Sequence, residues 1–132
     1  MQHTDRQGVG RGGLASGDRR PWHVRLLWDM LLEALAACAG VTMAAVATSI
    51  GVDLRGGTVR AEGDLDFRGT LGVAKDVPVG FQQIRLAFEL DADASAEQLA
   101  NLRRLTERYC VVYQTLRHTP AISVSLNGQI DS

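Results

Sequence analysis

From Leu26 to Ile50 apolar residues recur on every turn and cover almost the whole helical circumference. That pattern predicts one long helix, buried on most of its sides. Met30, Leu31, Glu33, Ala34, Leu35, Ala36 and Ala37 are nearly all strong helix formers. Gly40 costs helix stability and predicts close approach of another element. Gly51 predicts the C-terminal stop. Residues 34–50 carry no charge and approach the length of the shortest membrane spans. They are built largely of Ala, Thr, Gly and Ser, with Asp29 and Glu33 just ahead. A buried core helix accounts for this stretch better than a membrane span.

The period then changes from helical to alternating. Thr58 to Phe67 places Val59 and Ala61 on one side and charges on the other, with Gly63 expected to bend the strand or mark a bulge. Val77-Pro78-Val79-Gly80 is a break. From Phe81 to Leu90, Ile84, Leu86, Phe88 and Leu90 face one way, and Arg85, Ala87 and Glu89 the other. The two stretches are expected to pair antiparallel through residues 68–80. Ser95, Glu97 and Gln98 predict the start of another helix. Its inward positions are Leu99, Leu102, Leu105 and Tyr109, with Arg103, Arg104 and Arg108 facing solvent. A short helix from Val111 to Arg117 follows, ended by Pro120. Ala121 to Leu126 alternates strictly and predicts a closing strand. Residues 1–24 show neither period and predict irregular chain, punctuated by Gly8, Gly10, Gly12, Gly13 and Gly17.

The chain has 132 residues, enough for one domain with a core of its own. Fourteen Lys and Arg against fifteen Asp and Glu leave a net charge of -1, with no basic excess to hold a phosphate backbone. No nucleic-acid partner is expected. Two cysteines do not make a disulfide scaffold, and the polar N-terminus has no apolar signal region, so a cytoplasmic location is expected.

Those two cysteines, Cys38 and Cys110, carry the candidate chemistry. By composition Cys38 is a small hydrophobe within a buried helix. Cys110 stands near the N-terminal end of the short helix, where free amides and the helix dipole favour a thiolate. It too reads as an ordinary buried cysteine on composition. His3, His23 and His118 have no partner at ligand spacing, so no metal site is expected. No nucleophile elbow and no phosphate loop is present. The glycines of residues 8–13 do not follow a strand.

The order of features then becomes informative. An apolar helix runs Asp29-Met30-Leu31-Leu32-Glu33-Ala34-Leu35-Ala36-Ala37-Cys38. A strand pair follows, and a helix leads into Tyr109-Cys110-Val111-Val112-Tyr113-Gln114-Thr115-Leu116. In this the chain resembles the OsmC/Ohr family, named for osmotically induced protein C and organic hydroperoxide resistance protein. The likeness spans roughly residues 28–127. It sets apart residues 1–27 as an atypical N-terminal arm and 128–132 as a C-terminal tail. It implies an α+β fold, with antiparallel sheet packed on a long buried central helix, and an intertwined homodimer with active sites at the subunit interface.

The resemblance also implies a thiol peroxidase. Cys38 would attack an organic hydroperoxide and Cys110 would resolve the sulfenic acid as a disulfide. A dithiol reductant, lipoyl-linked in the better known branch, would restore both. No cofactor is implied. In the family an arginine from the N-terminal part, held by a glutamate at the start of the long helix, keeps the first thiol ionised. Trp28 stands at the glutamate position here, so Asp29 or Glu33 is the expected substitute. Arg20, preceding Pro21, is preferred over Arg19 and Arg25. Val111 replaces the proline that commonly follows the second cysteine. The family usually has a few strands before the long helix, and residues 1–27 do not read as such. The alternative is a family member without peroxidase activity, a homodimer binding an apolar small molecule.

Overall fold

The chain assembles into a three-stranded antiparallel sheet against one long helix. The computed structural model describes residues 2–9 and 27–131. Its elements run β1 (Gln2–Val9), α1 (Leu27–Ile50), β2 (Asp53–Leu65), α2 (Phe67–Thr70), β3 (Gln83–Asp93), α3 (Ala96–Tyr109), α4 (Val111–Arg117), β4 (Val124–Leu126) and β5 (Gln129–Asp131). The fold is α+β, as expected.

On α1 the buried stripe is Leu32, Leu35, Ala36, Ala39, Met43 and Ala47, at the three- and four-residue steps of one helix face. This face packs on β1, β2, α3 and α4. Met30, Leu31 and Val41 on other faces are 53%, 38% and 43% exposed, so within one chain the helix is not buried on most sides. The reason is geometric: three strands and two shorter helices cover one flank only. By length and composition Trp28–Ile50 would pass for a membrane span, with mean hydropathy 1.9. Its packing is that of a core helix, and Asp29 near its start is buried in protein. Gly51 ends it at φ +75°, while the Val52 amide donates to Ala47 O at 2.9 Å, a glycine C-cap.

Strand β2 is central. Val59 and Ala61 are fully buried toward α1, opposite Phe88 and Leu86 of β3. The strand starts at Asp53, earlier than the alternation suggested, and its irregularity lies between Leu54 and Gly56 rather than at Gly63. Gly63 keeps regular register with Ile84. Its missing side chain serves packing instead: an added Cβ would lie 2.5 Å from the Phe81 ring. Strand β1 corrects the expectation of irregular chain over residues 1–24, since Gln2–Val9 pairs with Leu65–Thr58. Only Val9 in that stretch is apolar. An edge strand held by main-chain hydrogen bonds leaves no hydrophobic period to read.

The link from β2 to β3 contains one helical turn. Asp66 caps it by accepting from the Arg68 amide at 3.0 Å and pairs with the Arg68 guanidinium. Phe67 stacks obliquely on Trp28, ring centres 5.1 Å apart. Helix α3 opens with the expected Ser95, in a reciprocal capping box with Gln98 at 3.1 and 2.9 Å. Leu102 is fully buried, whereas Tyr109, expected inward, is 59% exposed because the chain turns at Cys110. Helix α4 has its predicted bounds. It stops where the His118 amide donates to Gln114 O at 2.9 Å.

The closing strand is shorter than expected, and residues 129–131 form a second arm rather than a tail. The two-residue turn Asn127-Gly128 has φ 52° and 83°, the geometry that suits a tight hairpin. Ile122, Val124, Leu126 and Ile130 are 61–76% exposed on and beside this hairpin.

Candidate active site

Cys38 and Cys110 meet. Cys38 follows Leu35 by one turn of α1 and sits beside the buried stripe, itself half-buried. Cys110 is at once the C-cap of α3 and the N-cap of α4. Its amide donates to Thr106 O and its carbonyl accepts from the Gln114 amide, both at 2.9 Å. An extended residue between two helices breaks the helical run, and the thiol is turned into the core. There it is 1% exposed among Leu32, Leu35, Ala36, Ala39, Val59 and Ala61. Cys38 packs against this same cluster. Both thiols are free, and each perturbs the ionisation of the other.

Their acidities separate. Burial pushes the Cys38 thiol up, but four donors together outweigh it: the Val112 amide, the Cys110 thiol, the Val111 amide and the Thr42 hydroxyl. Cys38 is held below the ordinary thiol range. Burial pushes Cys110 up to about 11, helped by the adjacent Cys38 and opposed by the amides of Tyr113 and Val112. The expectation that the helix terminus would favour a Cys110 thiolate is therefore reversed. The first-turn amides of α4 serve Cys38 as well, and for Cys110 burial prevails.

The supporting residues fare differently. Asp29 is buried and Glu33 half-buried, and neither is isolated. At 100° per residue they lie about 180° and 140° around α1 from Cys38, so neither shares its face. Arg20, Arg19 and Arg25 lie outside the described residues. Thr42 and the amides of Val111 and Val112 were missed by the sequence reading. Thr42 is one turn beyond Cys38, which was a readable signal; amides carry none. Among the described residues no group of three or more His, Cys, Asp or Glu side chains is placed to hold a metal ion.

A cavity of about 450 Å³ opens beside the pair. Its apolar wall is Leu35, Phe81, Ile84, Leu86 and Phe88, all of which also pack in the cluster around the thiols. Arg103, Glu107, Tyr113 and Arg117 complete it from α3 and α4, but neither sulfur lines it. Arg103 and Glu107 are paired at 3.1 Å.

Comparison with known proteins supports the fold and the family. A family model described as OsmC-like protein matches residues 28–125. The chain is similar to the crystal structure of an OsmC-like hydroperoxide resistance protein from Jannaschia sp. CCS1. The TM-score is 0.66 at 14% identity, covering 97% of each chain. It is also similar to an OsmC-like protein from Mycoplasma pneumoniae, with TM-score 0.62 and 22% identity over 77% of this chain and 71% of the other. At these identities the likeness is one of fold. A comparison with curated proteins gave no match.

Proposed function

The chain belongs to the OsmC-like family, and from that premise we propose that it is a thiol-dependent peroxidase acting on organic hydroperoxides. The observation that carries the reading is the meeting of Cys38 and Cys110 in one core cluster, with acidities driven in opposite directions. A peroxidatic thiol must ionise, and a resolving thiol must stay protonated until it is needed. The Cys38 thiolate attacks the outer oxygen of R–O–OH. The O–O bond breaks, Cys38 becomes the sulfenic acid, and the alkoxide takes a proton to leave as R–OH. The Cys110 sulfur, giving up its proton, attacks Cys38 sulfur. Water leaves and a disulfide remains. A dithiol reductant, lipoyl-linked by analogy with the family, takes up the oxidation and returns both thiols.

Among the described residues, four amide, thiol and hydroxyl donors lower Cys38. An N-terminal arginine would add to them. Arg20 is the first candidate. Arg6, set in β1 at the register position opposite Ala61, is the second. We further propose a cytoplasmic homodimer, in which a second copy covers the exposed apolar residues of α1 and the C-terminal hairpin. A two-stranded hairpin is marginal by itself, which supports a partner.

The test is a thiol count. Reduced protein mixed with cumene hydroperoxide should lose two thiols per chain rapidly, and Cys38→Ser should lose neither. Cys110→Ser should still be oxidised once but stall in turnover. Thiols that survive excess hydroperoxide would overturn the reading. They would leave a binding protein without peroxidase activity, which the cavity's exclusion of both sulfurs favours.

A further inference from the structure

We propose that the cavity beside the thiol pair binds an anionic amphiphile. Its apolar chain or ring system would lie along Leu35 and β3, and its single negative head group beside Arg117. The cavity is large enough for such a ligand, at about 450 Å³. One wall is wholly apolar, from Leu35, Phe81, Ile84, Leu86 and Phe88. The opposite side carries charge: two guanidiniums, Arg103 and Arg117, and one carboxylate, Glu107.

Glu107 is engaged by Arg103 at 3.1 Å, which leaves the rim with one uncompensated positive charge. That charge is on Arg117. Its guanidinium lies 6.0 Å from the centre of the Tyr113 ring, and no carboxylate among the described residues pairs with it. An aromatic face orients a guanidinium while leaving its N–H fork free for a planar anion. Gln82 and Gln83 add amide groups to the lining. A neutral hydrocarbon would leave this charge unused, and a cationic amphiphile would meet repulsion. The inference rests on the cavity alone and stands apart from the thiol chemistry.

The test is calorimetric titration of the reduced, full-length protein with three probes of equal chain length: decanoate, decanol and decylammonium. Decanoate should bind about tenfold more tightly than decylammonium, the scale of one hydrogen bond to a charged group. Arg117→Gln, an exposed change, should weaken decanoate about fivefold or more and leave decanol within about twofold. Equal affinity for the three probes, or an Arg117→Gln effect shared equally by decanoate and decanol, would overturn the proposal. So would binding of none of them, the result expected if the hairpin of a second copy fills the cavity. Thiol loss to cumene hydroperoxide, which is uncharged, is measured in parallel. Oxidation without a carboxylate preference sinks this inference alone, and a carboxylate preference without oxidation sinks the peroxidase reading alone.

Discussion

The divergent acidity of the two thiols predicts a strong order of chemical modification. The perturbation is a brief exposure of reduced protein to iodoacetamide at pH 8. With Cys110 pushed up to about 11, only ~0.1% of it is thiolate at that pH. A thiol at 9.0 would be ~9% ionised, and Cys38 is lowered from that value. From that starting point the populations already favour Cys38 by roughly 90-fold. A more basic thiolate is intrinsically the better nucleophile, with a Brønsted slope of about 0.4–0.5, which returns roughly 6- to 10-fold to Cys110. The net preference for Cys38 is then on the order of 10-fold. Burial of Cys110, 1% exposed, widens it further. Timed quenching, digestion and mass spectrometry of the two cysteine peptides measure the ratio, with urea-unfolded protein as the control near unity. Cys38→Ser should bring Cys110 down, because a neighbour that raises it is gone, while burial still keeps it slow. Equal labelling of the native thiols, or labelling of Cys110 first, would refute the reasoning.

Other outcomes follow from single contacts. Thr42→Val should raise the midpoint of Cys38 ionisation, followed by thiolate absorbance near 240 nm, whereas Thr42→Ser should restore it. Leu102→Ala should cost about 2–5 kcal/mol in urea unfolding, because the side chain is fully buried beside Met43 and Ala47. Asp66 is held down to about 2, first by the Arg68 guanidinium and then by the Arg68 amide. A lowered folded pKa contributes stability above the unfolded value of about 3.9 and loses it as pH falls toward about 2. Asp66→Asn should therefore be less stable than the parent at pH 7, and the gap should shrink below about pH 4. A gap independent of pH would place the role of Asp66 in shape rather than charge.

Much of the fold was legible where burial imposes a period. Leu32, Leu35, Ala39 and Met43 mark α1, and Val59 and Ala61 mark β2. Ser95 with Gln98 marks the start of α3, because caps need particular side chains. Strand β1 was not legible: Gln2–Val9 is held by main-chain pairing, which any side chains permit. The exposed face of α1 was misread for the opposite reason. Its sequence is apolar all round, so the pattern does not say which side the sheet covers. At the site, the cysteines themselves were readable, but their relative acidity was not. It depends on where the amides of Val111 and Val112 point and on how deeply Cys110 is enclosed, and both are set by the extended break at Cys110 between α3 and α4.

Cys38 and Cys110 lie 72 positions apart in the chain. A bond between them would close most of the described molecule into one covalent ring, joining α1 to the junction of α3 and α4. By loop-closure entropy such a link restricts the unfolded chain by about 4 kcal/mol. The oxidised protein should then melt at a markedly higher temperature than the reduced one. A melting curve would thereby report the redox history of a sample, and turnover would alternate between a tethered and an untethered chain.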